Sequence, residues 1–108
     1  MVYTVHELRD IVTPIAVKYG LKGVSLFGSY ARGTASEDSD VDLIIDTTGT
    51  SIRSLLQVAG IHEELERTLR KSVDLLTVSA LTQKQQMPSE ARFRENVMLE
   101  RKELYVVA

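Results

Sequence analysis

Between Leu26 and Asp46 the chain reads LFGSYARGTASEDSDVDLIID, two apolar runs bracketing a polar stretch rich in Gly, Ser and Thr. This pattern predicts strand, loop, strand, with Val24 and Leu26 in the first strand and Val41, Leu43, Ile44 and Ile45 in the second. Side chains alternate along a strand, so Asp40 and Asp42 are expected on one side of the second strand's start. Two carboxylates stacked in a partly dry site repel each other by something on the order of a few kcal/mol unless a cation lies between them. Hard oxygen donors favour Mg²⁺ or Mn²⁺ over zinc, and the chain contains no cysteine to offer a softer ligand.

Gly28 and Ser29 close the first strand, with ten residues between Ser29 and Asp40. A glycine there lets backbone approach a ligand closely, and the serine offers a hydroxyl and an amide donor, a combination suited to a triphosphate. Neither Gly-Ser nor Asp-x-Asp is specific alone. Their order and spacing, flanked by Arg32-Gly33 and Leu43, is. Arg32 lies within reach of either a phosphate or a neighbouring acid, and its guanidinium fork suits both. Asp38 lies in the loop, where its direction cannot be read, and stays outside the site.

The words FGSYARG and SDVDL resemble the DNA polymerase β-like nucleotidyltransferases, and most closely their minimal nucleotidyltransferase (MNT) group, over nearly the whole chain. The resemblance implies the nucleotidyltransferase fold, ATP as substrate, two Mg²⁺ ions and a third carboxylate on a later, neighbouring strand. Asp74 in KSVDLLTV is the matching position. A lone aspartate among Val73, Leu75, Leu76 and Val78 is costly to bury without compensation, and beside Asp40 and Asp42 it would complete a triad and could take the proton of an attacking hydroxyl. Asp40, Asp42 and Asp74 are therefore the expected catalytic and metal-holding residues, and Gly28, Ser29 and Arg32 the nucleotide-binding ones. Larger relatives carry a further helical domain that a chain of 108 residues has no room for, so the acceptor surface is expected in trans. MNT proteins of this size resemble antitoxins paired with all-helical HEPN ribonuclease toxins, which implies AMP transfer to a tyrosine of such a toxin and a hetero-oligomer with it. Two other readings compete: a non-catalytic antitoxin that neutralises by binding, and a small-molecule, aminoglycoside-type nucleotidyltransferase.

With 44% hydrophobic residues, a single domain over residues 1–108 with a modest core is expected. A net charge of −2, from 13 basic and 15 acidic residues, gives no general pull toward nucleic acid as a direct substrate. The sequence shows neither a signal peptide nor an apolar run of membrane-spanning length, and a cytoplasmic protein without membrane association is the expectation.

The remaining elements follow from periodicity. Thr4 and Glu7 form a capping box ahead of the stripe Val5, Leu8, Ile11, Val12, Ile15, Ala16 and Tyr19, which stops at Gly20. Pro14 should kink this helix or restart it with Thr13 as cap, the kink being favoured. Thr47–Ser51 reads as a turn, and Ser51 as the cap of a second helical region reaching about Arg70. Its two apolar stretches, Ile52, Leu55, Leu56, Ala59 and then Ile61, Leu65, Leu69, should both pack on the sheet, with a bend at Gly60. A third strand spans Val73–Val78, a loop or short helix fills Ser79–Ser89, and a helix over Glu90–Lys102 turns Phe93, Val97 and either Met98 or Leu99 inward. Leu104–Val107 returns as a short strand or packing tail. The order implies an α/β (α+β) domain, a small mixed β-sheet flanked by helices. His6 and His62 read as surface or packing residues, and Arg92, Arg94, Arg101 and Lys102 as a solvated helix face. Met87, Met98 and Leu104 are equally compatible with core and with a partner surface.

Overall fold

The structure, a computed structural model, describes residues 2–82 and 88–107, with the backbone alone at residues 81, 82, 88–91, 93 and 94. Helix α1 (Val5–Tyr19) leads into strand β1 (Gly23–Phe27), a single-turn helix α2 (Gly28–Arg32) and strand β2 (Val41–Asp46). Helix α3 (Leu55–Leu69), strand β3 (Val73–Thr77), short helix α4 (Val78–Thr82), helix α5 (Pro88–Glu100) and strand β4 (Lys102–Val106) complete the order.

The four strands form one mixed sheet in the order β3-β2-β1-β4. β1 runs antiparallel to both β2 and β4, whereas β2 and β3 are parallel, joined by the α3 crossover. The alternation divides the sheet cleanly. Val24, Leu26, Val41, Leu43, Ile45 and Val73 face Leu8, Val12, Ile15 and Ala16 of α1 and Ile61, Leu65 and Leu69 of α3, all in one buried cluster. Among the described residues, the opposite face carries a small cluster of Phe27, Ile44 and Val97, with Leu76 and Val78 against it. One face thus supplies most of the core, and the other is left partly open for a site.

Helix α1 starts as its sequence dictates. Thr4 Oγ1 accepts from the Glu7 amide at 3.0 Å, the Thr4 amide donates to Glu7 Oε1 at 2.8 Å, and Gly20 ends the helix with φ +66°. The helix runs on through Pro14 without a restart, because the Thr13 hydroxyl donates back to the Arg9 carbonyl (2.7 Å) and caps nothing.

Helix α3 departs from expectation at its first turn. Ser54, not Ser51, is the cap: it accepts from the Gln57 amide at 3.2 Å, while Gln57 Oε1 takes the Ser54 amide at 3.1 Å. Of the first apolar stretch, Ile52 packs partly buried against the core, whereas Leu55 and Leu56 are 87% and 83% exposed and the helix meets the sheet from Ile61 on. The helix passes Gly60 as one element, since that glycine is on the exposed side and a Cβ there would meet nothing within 4 Å.

Two other boundaries shift. β3 stops at Thr77, where α4 begins, and α5 stops at Glu100, so Lys102 lies in β4 rather than in the helix. Val97 is buried as expected, but Met98 is 44% and Leu99 84% exposed, and Leu104 is core. Met87 and the Phe93 side chain lie outside the described residues.

Ser54→Ala should lower unfolding free energy by about 1 kcal/mol through loss of the cap, and Ser51→Ala should change it little. Gly60→Ala should raise it by about 0.5–1 kcal/mol by lowering unfolded-chain entropy. Denaturant melts of the three variants check the assignment.

Candidate active site

The site grows from the junction of β1 and β2. Phe27 pairs with Asp42 across the ladder, and the chain then turns directly into α2 rather than into the loop that the polar sequence suggests. Gly28 makes this turn with φ +70°, and a Cβ built on it would lie 2.9 Å from Cγ of Asp42 and overlap the carboxylate oxygen. Glycine is needed here twice, for the left-handed backbone and for the close passage over Asp42. Ser29 is partly buried in the only turn of α2, and its carbonyl accepts from the Thr34 amide at 2.9 Å.

Asp42 and Asp74 are direct register partners on the parallel strands β2 and β3. They stand side by side on the open face, Asp42 partly buried and Asp74 exposed. Burial pushes the Asp42 carboxyl up to about 6, helped by the Asp74 carboxyl beside it and by the Asp40 charge, with Arg32 pulling the other way. Paired acids of this kind suit a divalent cation, since the metal supplies positive charge between them.

These carboxylates open into a cleft of about 450 Å³, with Gly28 and Arg32 on one side and Asn96 and Glu100 of α5 on the other, over an apolar floor that includes Phe27, Leu76 and Val97. Arg32 resolves the choice between phosphate and acid in this state: its Nη1 donates to Glu100 Oε2 at 3.1 Å. Asp40 sits differently. It precedes β2, is exposed, and lines a separate cleft of about 480 Å³ with Tyr3, Lys71 and Ser72, although its charge is felt at Asp42. Among the described residues, no three acidic, cysteine or histidine side chains converge closely enough to hold a cation as they stand. The donor set nevertheless suits a hard divalent ion: paired carboxylates, a glycine that leaves room above one of them, and a third acid within electrostatic range.

Asn96 and Glu100 are site residues that sequence reasoning did not single out. A polar residue beside the inward Val97 of the last helix is the one signal that could have suggested Asn96. His6 is exposed and lies 3.4 Å from Asp10 Oδ2; Arg92, Arg101 and Lys102 are exposed, though only Arg92 of these is on the helix, and the Arg94 side chain lies outside the described residues.

The nucleotidyltransferase domain family model matches residues 8–104. A protein adenylyltransferase, MntA, of Thermococcus cleftensis is 39% identical over 82 residues, which cover 72% of this chain and 81% of that one. A Methanocaldococcus jannaschii relative with a provisional protein adenylyltransferase name is 39% identical over 77 residues, 71% of this chain and 81% of its own. Among solved structures, a protein provisionally named a minimal nucleotidyltransferase superposes with a TM-score of 0.66 at 32% identity, covering 93% of this chain and 95% of its own. A toxin–antitoxin complex with AMP-PNP superposes with a TM-score of 0.69 at 20% identity, covering 92% of this chain and 73% of that one. A complex of a tri-AMPylated Shewanella oneidensis HEPN toxin with its MNT antitoxin gives a TM-score of 0.64 at 16% identity, covering 94% and 73%. The last two likenesses carry the fold alone.

The raised Asp42 carboxyl has a measurable consequence for the cation-free protein. A folded state that keeps a proton the unfolded chain has released loses stability as pH rises from about 4 through about 6. Asp42→Asn removes that loss. In the presence of a chelator its melting temperature should exceed that of the unsubstituted protein at pH 8, and the gap should close toward pH 4. An Asp42→Asn protein that melts lower at pH 8 contradicts the assignment.

Proposed function

This chain belongs to the nucleotidyltransferase domain family, and from that premise we propose that it moves AMP from ATP, with Mg²⁺, to a tyrosine hydroxyl of a HEPN-family ribonuclease toxin, as that toxin's antitoxin. The observation that carries the chemistry is the Asp42–Asp74 pair, in register on adjacent strands beneath Gly28. The adenylyl donor is supported by relatives named protein adenylyltransferases. The toxin partner is supported by fold neighbours solved as toxin–antitoxin complexes, one with AMP-PNP and one with a tri-AMPylated HEPN toxin.

In the proposed reaction the acceptor oxygen forms a bond to the α-phosphorus of ATP. The bond from that phosphorus to the bridging oxygen of the β-phosphate breaks, and pyrophosphate leaves. Asp40, Asp42 and Asp74 would hold Mg²⁺, two ions being expected. What Mg²⁺ supplies when bound is neutralisation of phosphate charge and alignment of the attacking and leaving oxygens. Ser29 and the backbone about Gly28 hold the leaving phosphates. Arg32, once released from Glu100, offers its guanidinium to a phosphate oxygen. Asp74, the exposed member of the pair, would either ligate the second ion or take the proton of the acceptor hydroxyl. Phosphoryl transfer of this kind rests on positioning and charge stabilisation, which are what this cleft provides.

Incubation with ATP, Mg²⁺ and a HEPN partner should add AMP masses to the partner. Asp42→Asn should cut the rate about a hundredfold or more, the scale seen when a principal electrostatic stabiliser of a transition state is removed. Ser29→Ala should lower kcat/KM for ATP by about ten- to a hundredfold, as expected for one hydrogen bond to a charged group. Normal turnover by Asp42→Asn would refute the metal-site assignment. Full neutralisation of the toxin with no mass change would point to inhibition by binding, and AMP appearing only on small hydroxyl compounds would point to a small-molecule substrate.

A further inference from the structure

Asp74 is exposed, and it stands at the start of β3, the outer strand of the described sheet. A strand end at a sheet edge frays readily, yet the proposed chemistry requires this carboxylate to stay opposite Asp42. The structure contains a device that answers this need. The Val41 amide donates to the Ser72 carbonyl at 3.0 Å, and Val41 pairs with Val73, which fixes the side of the strand that faces β2. Backbone groups alternate in direction along a strand, so the N–H and C=O of Val73 point away from β2, toward the free edge.

Both groups are taken by α3. Glu66 Oε2 accepts from the Val73 amide at 2.9 Å, and His62 Nε2 lies 2.5 Å from the Val73 carbonyl oxygen. A carbonyl can only accept, so Nε2 carries the proton and donates. The two side chains lie one helical turn apart, with His62 Nε2 3.5 Å from Glu66 Oε2. Ring and carboxylate thus lie side by side while each holds one backbone group. Nonpolar packing of α3 on the sheet is supplied separately by Ile61, Leu65 and Leu69, all buried.

We propose that His62 and Glu66 form a backbone clamp on Val73 that sets the position of Asp74 against Asp42, which makes them positioning residues for the transfer. Val73 turns its side chain into the core, at 4% exposure, and Asp74 follows on the opposite face. Holding the backbone of Val73 at both its donor and its acceptor fixes the height and the rotation of the strand where the carboxylate leaves it. The inference rests on the transfer reading above, but the clamp itself is observable without catalysis.

The test uses the full chain and its partner. His62→Leu and Glu66→Leu remove one bond each, whereas His62→Gln and Glu66→Gln keep an amide donor and a carbonyl acceptor respectively. The leucine variants should lower kcat about three- to tenfold, the size of one backbone hydrogen bond, with KM for ATP changed less than about twofold, as a uniform loss of ATP binding is not involved. The glutamine variants should recover most of the rate. Amide hydrogen exchange at Val73 and Asp74 should speed up in the leucine variants, while exchange at Leu43 and Ile45 in the sheet centre stays slow. Active protein with kcat unchanged in both leucine variants overturns the proposal, as does faster exchange throughout the sheet, which would mark a general loss of stability. If the unsubstituted protein transfers nothing to any acceptor, the function reading fails. Exchange then decides on the clamp alone: unchanged rates at Val73 and Asp74 remove it, and locally faster rates retain it.

Discussion

Two carboxylates placed opposite each other on neighbouring parallel strands are the constraint around which this domain is organised. Antiparallel neighbours can be joined by a tight turn, but the parallel pairing of β2 with β3 needs a crossover, and α3 provides it. The crossover buries Ile61, Leu65 and Leu69 and so ties the pairing to the main core. The same helix carries His62 and Glu66 to the edge of β3. The cost of burying Asp42 beside Asp74, visible in the raised Asp42 carboxyl, falls on a strand pair that the hydrophobic core holds in register. A one-residue slip would send Asp42 into that core and Leu43 into the cleft.

How much of this could be read from the sequence depended on whether the signal was local. The alternation of Val41, Leu43 and Ile45 with Asp42 and Ile44 placed the strand and its two faces. Thr4, Glu7 and Gly20 placed the first helix, since caps act within a few residues. The mixed sheet followed from element order. The α2 turn was hidden because Gly28–Arg32 is too short for any period to show. The α3 boundary was misplaced because Ser51 and Ser54 are both plausible caps, and the choice was made by Gln57, whose side chain completes a box with Ser54 alone. Leu55 and Leu56 extend the apolar pattern of α3 into a turn that the structure leaves exposed.

The site divides in the same way. Motif spacing grouped Gly28, Ser29, Asp42 and Asp74, and the structure lines one cleft with Gly28, Asp42 and Asp74, whereas Ser29 is not among its lining residues. Asp40 was expected on the same side as Asp42 by strand alternation; β2 begins one residue later, at Val41, and Asp40 lines the neighbouring cleft while its charge is still felt at Asp42. Glu100 was invisible, because its role arises only from the approach of α5 to α2 across the sheet, 68 positions apart in sequence from Arg32. His62 and Glu66 were unreadable for a related reason: a side chain that serves another residue's backbone leaves no type pattern at the position it serves.

The two ends of the carboxylate pair are not equivalent, and the difference gives the cleft a direction. Asp42 lies partly buried directly beneath Gly28, where no side chain intervenes, and Arg32 is on the same side of the cleft. That end is suited to phosphate, being tight, backbone-lined and supplied with a guanidinium that Glu100 holds until a stronger anion competes for it. Asp74 is exposed, on the outermost strand, with no further strand of the described sheet beyond it. Under the proposed transfer, the leaving phosphates belong at the closed end, and the acceptor hydroxyl approaches the open one. An open acceptor end places few demands on the acceptor's shape. Selectivity must then come from contacts the acceptor's carrier makes outside the cleft, which is the arrangement expected when the hydroxyl is presented by a folded protein.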